Sequence, residues 1–346
     1  MTFLFATNQA VSYEYTEKFD DVGSFTLMLP LDKNLLSDLA INQLITNDAG
    51  DWLWVQAIHY DDNKITLSGK DCKGLLELRV SLFGAEQEAG TQGYDVVSGT
   101  TSQCIKHYLD NNIINPADNS RKIPMSFISQ TNGLAEDSYM ARLEKLSDII
   151  KNLCQNAEIG YSIIGSITNQ KFLFVLKSGT DRSMNQSEIS RVIFCPSWGN
   201  VISQEFEHDI SNYYNIAYSE GAGIVQTVQR GSIEPSGIQR RECTTSVSVE
   251  TTADIEKYTL YALEDNLETH SFNLKVSAQG YGTEYFLGDT VTVRDPYTHS
   301  NFNAVISQVT RKYSATEQNM EVTLGKSRLP LLNRIIKNMT NGILKR

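Results

Sequence analysis

The sequence predicts an α+β fold, mainly β, in which two similar β units flank an inserted α+β domain and a C-terminal helix follows. Three observations predict it. The tetrapeptide Ser24-Phe25-Thr26-Leu27 recurs as Ser271-Phe272-Asn273-Leu274, and each copy runs into the same succession of segments. Period-two alternation dominates both flanks, as half-buried strands require. The stretch between them holds helical three- and four-residue spacing.

In the first unit, residues 1–100, alternation in Val11 to Tyr15 and Phe25 to Leu29 gives strands. Leu36 to Leu39 and Ile41 to Thr46 follow. Trp54 to Tyr60 and Ile65 to Lys70 then form a hairpin about the polar Asp61-Asp62-Asn63-Lys64. Lys73 to Arg79, with Leu75, Leu76 and Leu78, closes the unit as a short helix. The insert, 101–200, opens on a helix from Thr101 to Asn111, ended by Asn111-Asn112 and Asn115-Pro116. A longer helix is expected over Ser138 to Gln155, where Leu143, Leu146, Ile149, Ile150 and Leu153 share a face. A hairpin of Tyr161 to Ile167 and Lys171 to Lys177 follows, then strands at Val192 to Cys195, Val201 to His208 and Tyr214 to Ser219.

The second unit, 201–326, includes a helical excursion at 250–269. Its segments are Phe286-Leu287-Gly288-Asp289, Thr290 to Val293, Asn303 to Val309, a polar turn, and Val322-Thr323-Leu324-Gly325-Lys326. Residues 327–346 form a basic amphipathic helix with Leu332, Ile335, Ile336, Met339 and Ile343 on one face. Such a helix docks on its own subunit, on a sister copy, on a partner or on an anionic surface. A duplicated unit halves the number of chains needed to close a ring, so the repeat points to a ring component before an enzyme.

At 346 residues the chain exceeds one core. Its net charge of −11 disfavours a grip on nucleic acid, although a like-charged wall lets DNA pass. Residues 1–100 hold fifteen acidic and six basic side chains, whereas 326–346 hold six basic and no acidic ones. Cys72, Cys104, Cys154, Cys195 and Cys243 are odd in number and widely spaced, which reads as reduced, mostly buried thiols. Met1 to Ala6 lacks a basic lead-in, and no run of 18 apolar residues occurs, so stable membrane insertion is not expected.

Chemistry is sparse. There is no Gly-x-Ser-x-Gly and no informative Cys and His neighbourhood, so no hydrolase triad is supported. His59, His107, His208, His270 and His299 are far apart in sequence, without the pairing that seats zinc on a helix. Glu205, Glu207 and Asp209 share one strand face. They suit calcium or glycosidase carboxylates, or simply a solvated face. Gly221-Ala222-Gly223 and Gly280-Tyr281-Gly282 are too short for phosphate cradles. Gly179-Thr180-Asp181-Arg182-Ser183 reads as a turn whose Asp181 bonds the backbone two residues on. Trp52 and Trp54 either stack a sugar or anchor a wall. No catalytic, cofactor-binding or metal-ligating residue is assigned, and no cofactor is expected.

Several of these segments together carry a resemblance. They are Ile65 to Asp71 running into Gly74 to Arg79, the Gly179 to Ser183 turn, Trp198-Gly199-Asn200-Val201 before Glu205-Phe206, Asn215 to Gly221, Arg240-Arg241-Glu242, and Leu287-Gly288-Asp289-Thr290-Val291. In this order, over essentially the whole chain, the sequence resembles the siphophage and prophage tail-tip family of structural proteins, similar to the baseplate hub of T-even and Mu-like phages. The resemblance implies two tail-tube-like β-barrels per chain and a homotrimer of pseudo-sixfold symmetry at the virion tail tip, assembled in the bacterial host cytoplasm. It implies as partners the tail-tube or distal tail protein, the tape-measure protein, and a distal spike, fibre or receptor-binding protein, with DNA passing through the lumen unbound. Many relatives carry a cell-wall hydrolase or receptor-binding extension. This sequence stops at Arg346, so no enzyme is expected; a cell-wall hydrolase and a carbohydrate-binding module are the alternatives.

Overall fold

The structure, a computed structural model, describes residues 6–47, 49–82, 95–128, 134, 136–221, 224–231, 234–246, 255, 259, 263, 269–276, 280–295, 300–316 and 318–324. Contacts divide the chain into two units, residues 1–204 with 273–325, and residues 205–272 with 326–346.

The first unit is organised by one open sheet. Its opening strands are β1 (Ser12–Lys18), β2 (Ser24–Pro30), β3 (Leu44–Thr46), β4 (Trp52–Tyr60) and β5 (Lys64–Asp71), with α1 (Lys33–Asp38) between β2 and β3. Asp32 caps α1 by accepting from the Asn34 and Leu35 amides. Alternation sends Tyr15, Phe25, Leu29, Leu53, Val55, Ile65 and Leu67 into one core. These strands lie in the spatial order β1-β2-β5-β4-β3.

The insert follows: β6 (Asp95–Thr100), α2 (Thr101–Leu109), β7 (Met125–Ile128), β8 (Glu136–Ala141), α3 (Leu146–Ala157), β9 (Gly160–Ser166) and β10 (Lys171–Lys177). Thr100 and Gln103 form a full capping box on α2. Helix α3 starts at Leu146, eight residues later than expected, because Glu136–Ala141 pairs with β6 as a strand. Leu143, expected on the helix face, sits at φ 52 in the link and is exposed. Leu146, Ile149, Ile150 and Leu153 do line the core, with Ile105, Tyr108, Tyr161 and Phe174.

The remaining strands are β11 (Ile193–Phe194), β12 (Ser203–Asp209), β13 (Ile216–Gly221), β14 (Ile224–Gln229), β15 (Glu242–Ser246), β16 (Thr269–Val276), β17 (Thr290–Asp295), β18 (Ser300–Ser314) and β19 (Gln318–Leu324). Five of them repeat the first arrangement, in the spatial order β12-β16-β19-β18-β17. Backbone hydrogen bonds align the copies. The Val11 amide donates to the Met28 carbonyl at 2.8 Å, and Ile202 to Lys275 at 2.7 Å, which superposes Ser24–Leu27 on 271–274 as the repeat demands. Asn42 donates to Val55 and Val55 to Gln43; Gly288 donates to Ile306 and Ile306 to Asp289. Each fourth strand then carries a one-residue bulge, at Gln56 and at Ser307. The bulges match Leu67 with Val322, two positions away from the apparent match of Ile65-Thr66-Leu67 with Val322-Thr323-Leu324.

Two features depart from expectation. Among the described residues neither copy closes into a barrel: both belong to a single eleven-stranded open sheet, joined where β1 pairs with β18. The polar turn expected after Val309 is strand as far as Ser314. That extension gives β18 the length to carry β19 on one side and, on the other, first β17 and then β1.

The second unit holds the small sheet β14-β13-β15. Of the expected helix from Ala253 to Leu267 only residues 255, 259 and 263 are described; all three are helical, four apart and buried, and Leu263 packs on Ala217 and Val228. The expected helix at 327–346 and His299 lie outside the described residues.

Candidate functional site

The site that joins the two copies is the seam between β1 and β18, seven antiparallel pairs from Ser12↔Ser314 to Lys18↔Gln308. Arg311 stands opposite Tyr15 and is mostly buried. Its Nη2 donates to Glu17 Oε2 at 2.7 Å and to the Tyr281 hydroxyl at 3.3 Å, and its guanidinium lies over the rings of Tyr281 and Tyr15, 5.1 and 5.7 Å from their centroids. Its Nη1 makes an ion pair with Asp51 Oδ2 at 3.6 Å. Asp51 in turn accepts from Asn47 Nδ2 at 2.9 Å, and the same amide donates to the Tyr13 hydroxyl at 3.1 Å. The first copy thus supplies Glu17 and Asp51, and the second supplies the cation between them.

Burial opposes the charge of Arg311, but Glu17, then Tyr281 and Asp51, outweigh it and hold its pKa above the ordinary value. Burial pushes the Asp51 carboxyl above the usual carboxylate range, against the Asn47 hydrogen bond that favours ionisation. Burial likewise pushes the Tyr13 hydroxyl up to about 12. Beside the seam a cavity of ≈ 200 Å³ is lined by Glu17, Asp51, Asp71, Lys18, Lys73 and Lys177 among others. Acids and lysines balance there. The cluster is a staple of crossed ion pairs and ring stacking.

A strap across the second copy brings together two motifs read separately in the sequence. Asp289 accepts from the Thr180 amide at 2.9 Å, from Arg182 Nε at 2.7 Å and from the Phe286 amide at 3.0 Å. Asp181 accepts from the Ser183 amide at 2.9 Å, the local bond expected of this turn. A Cβ on Gly179 would stand 1.8 Å from the Gly288 carbonyl oxygen, so only glycine allows this approach. Gly288 itself sits at φ 96 against the Phe19 ring. The first copy builds the same turn more simply: Gln43 accepts from the Ala40 amide through its side chain at 2.9 Å, and Asn42 takes the positive φ, 72.

Other sequence candidates fall elsewhere. Trp54 is buried and its Nε1 donates to Asn42 Oδ1, while Trp52 packs on the insert core, so both rings are wall anchors. Glu205 is exposed on β12, and Asp209 caps a turn by accepting from the Ser211 amide and hydroxyl. His107 pairs with Asp95 at 2.7 Å, and His59 is exposed on β4. Among the described residues no group of three His, Cys, Asp or Glu side chains could hold a metal ion, and no helix is long and apolar enough to cross a membrane. All five thiols are free; four are buried and Cys243 is half-buried. Arg311, Glu17 and Asp51 are site residues that sequence reasoning missed, because Arg311 lies in the polar stretch after Val309 that reads as a turn.

The fold is shared with solved tail proteins. It is similar to the 43 kDa tail protein of prophage MuSo2 from Shewanella oneidensis, at 13% identity and a TM-score of 0.54 over 93% of this chain and 96% of that one. It is similar to the tail protein from Neisseria meningitidis MC58, at 12% identity and 0.55 over 92% of each chain. It is similar also to prophage tail protein gp18 from Listeria monocytogenes EGD-e, at 13% and 0.51 over 98% and 95%. No curated protein matches the sequence. The family described as Siphovirus ReqiPepy6 Gp37-like protein matches residues 2–326, a span that includes every strand of the repeated sheet and its seam, and the chain belongs to that family.

Proposed function

We propose that this chain is a structural protein of a phage tail tip, without enzymatic activity, and that three copies form a ring of pseudo-sixfold symmetry. Each copy contributes two near-equivalent β units, so three chains present six positions to a hexameric tail tube or distal tail protein while keeping threefold symmetry toward a spike, fibre or receptor-binding protein. The tape-measure protein and then DNA pass through the lumen, where the acidic excess of the chain keeps DNA from sticking.

One observation carries the reading: a single chain lays down the order 1-2-5-4-3 twice in one sheet. Family membership and the fold shared with prophage tail proteins support it. The test is light scattering with negative-stain imaging of the purified chain. The expected result is the mass of three 38.8 kDa chains and an annulus with threefold averages. A dimer, or a compact particle without a hole at every concentration, rules out the ring. A clear zone in zymography on host cell walls would return the protein to the hydrolases.

A further inference from the structure

In the second copy the side of β18 away from β19 is filled twice, by β17 and then by β1. In the first copy the corresponding side of β4 carries β3, which pairs with Trp52 to Trp54. Beyond it no strand covers residues 56–60 among the described residues. At the other end of the strand order β12, the counterpart of β1, pairs with β16, and among the described residues no strand follows it on its other side.

Exposure follows the same logic. Tyr60 is 60% exposed, Ile41 57% and Ile210 43%. Their counterparts at the filled seam are Arg311, Leu287 and Phe19, all half-buried or buried. Phe19 closes the intrachain seam by donating its amide to the Ser307 carbonyl at 2.9 Å, at the bulge that Gln56 repeats in the first copy. Apolar side chains on two unfilled strand edges mark surfaces built to be covered.

We infer that β12 of one copy of this chain pairs antiparallel with the outer edge of β4 of the next. Transferring the β1–β18 register places Ala57 opposite Asp209, Ile58 opposite His208, His59 opposite Glu207 and Tyr60 opposite Phe206, with the Ile210 amide donating to the Gln56 carbonyl. The two edges differ, so the contact is head-to-tail, and a closed ring or an open fibre are its only outcomes. The inference rests on the ring reading above for closure at three, and on the duplicated register for the strands that meet. This seam has four residue pairs where the intrachain one has seven, because β4 ends at Tyr60 whereas its counterpart runs on to Ser314.

The test is disulfide trapping in the full chain, with Ala57→Cys and Asp209→Cys combined, mild oxidation, a non-reducing gel and light scattering of the same samples. Opposed cysteines in an antiparallel pair come within bonding reach. A second pair, Gln56→Cys with Ile210→Cys, probes the same seam without touching the Asp209 cap. The expected result is a ladder ending at a linked trimer, about ten-fold above the single variants and above the off-register pair His59→Cys with Asp209→Cys, because pairing raises the effective thiol concentration. A trimer by scattering in which neither pair links overturns the seam and leaves the ring. An endless ladder supports the seam and overturns the ring. No linking in a single-chain particle overturns both.

Discussion

The two copies of the β unit share strand order, a bulge and a side-chain-capped turn, yet they differ in what leans on them. The second copy is strapped by Gly179 to Ser183 and receives β1 along β18; among the described residues the first has neither along β4. The same small turn therefore holds a buried aspartate, Asp289, in one copy and an exposed-side glutamine, Gln43, in the other. A local fold is duplicated cheaply, and its neighbours decide how much each position matters.

The largest expected effect comes from breaking the strap. Gly179→Val drives a side chain into the Gly288 carbonyl, and Asp289→Ala leaves Arg182 and two amides without their acceptor. Each change is expected to cost about 3 kcal/mol in urea denaturation. The counterpart Gln43→Ala removes two exposed hydrogen bonds, one from the Ala40 amide and one to the Asp38 carbonyl, and is expected to cost about 1 kcal/mol. Equal losses at Asp289 and Gln43 would show that the strap adds nothing.

Next comes the staple. Arg311→Leu leaves Glu17 and Asp51 facing each other in a poorly solvated seam, with an expected loss of about 2 to 3 kcal/mol. Tyr60→Leu, at the matching position of the open edge, should lie within about 0.5 kcal/mol of wild type in the isolated chain.

The contrast also shows how far the fold was legible. Alternation and the Ser-Phe-x-Leu repeat were enough to find both copies, because half-buried strands write their period into the sequence. The first strand of each copy was harder to recognise as part of the repeat: Ser12-Tyr13-Glu14-Tyr15 and Ser203-Gln204-Glu205-Phe206 share little beyond Ser and Glu. Thr310 to Ser314 read as a turn because the run is polar, and it is polar because it crosses the seam, where Arg311 meets acids from residues far away in sequence. Ser138 to Gln155 misled in the opposite direction. Its apolar spacing continues back past the true helix start, while pairing of 136–141 with β6 overrides local propensity.

A pH experiment sharpens the asymmetry further. Asp51 stands where the second copy has Phe302, and burial raises its pKa. The folded chain therefore keeps a proton on Asp51 at pH values where the unfolded chain has released it. That contribution is fully present below the ordinary carboxylate value and is lost as pH rises through the raised one. Denaturation followed from acid toward neutral pH should show this downward slope in the wild type and lose it in Asp51→Asn. An unchanged slope would mean that the Arg311 ion pair compensates burial completely.

The smallest effect lies in the seam itself. Thr16 and Thr310 face each other across it, with their hydroxyls 3.0 Å apart. Removing one hydroxyl with Thr310→Val strands the other in a part-buried place, at an expected cost of about 1 kcal/mol, whereas removing both restores a matched apolar pair and should return to within about 0.5 kcal/mol of wild type. Such a cycle isolates the cross-strand coupling from the backbone pairing that persists in every variant.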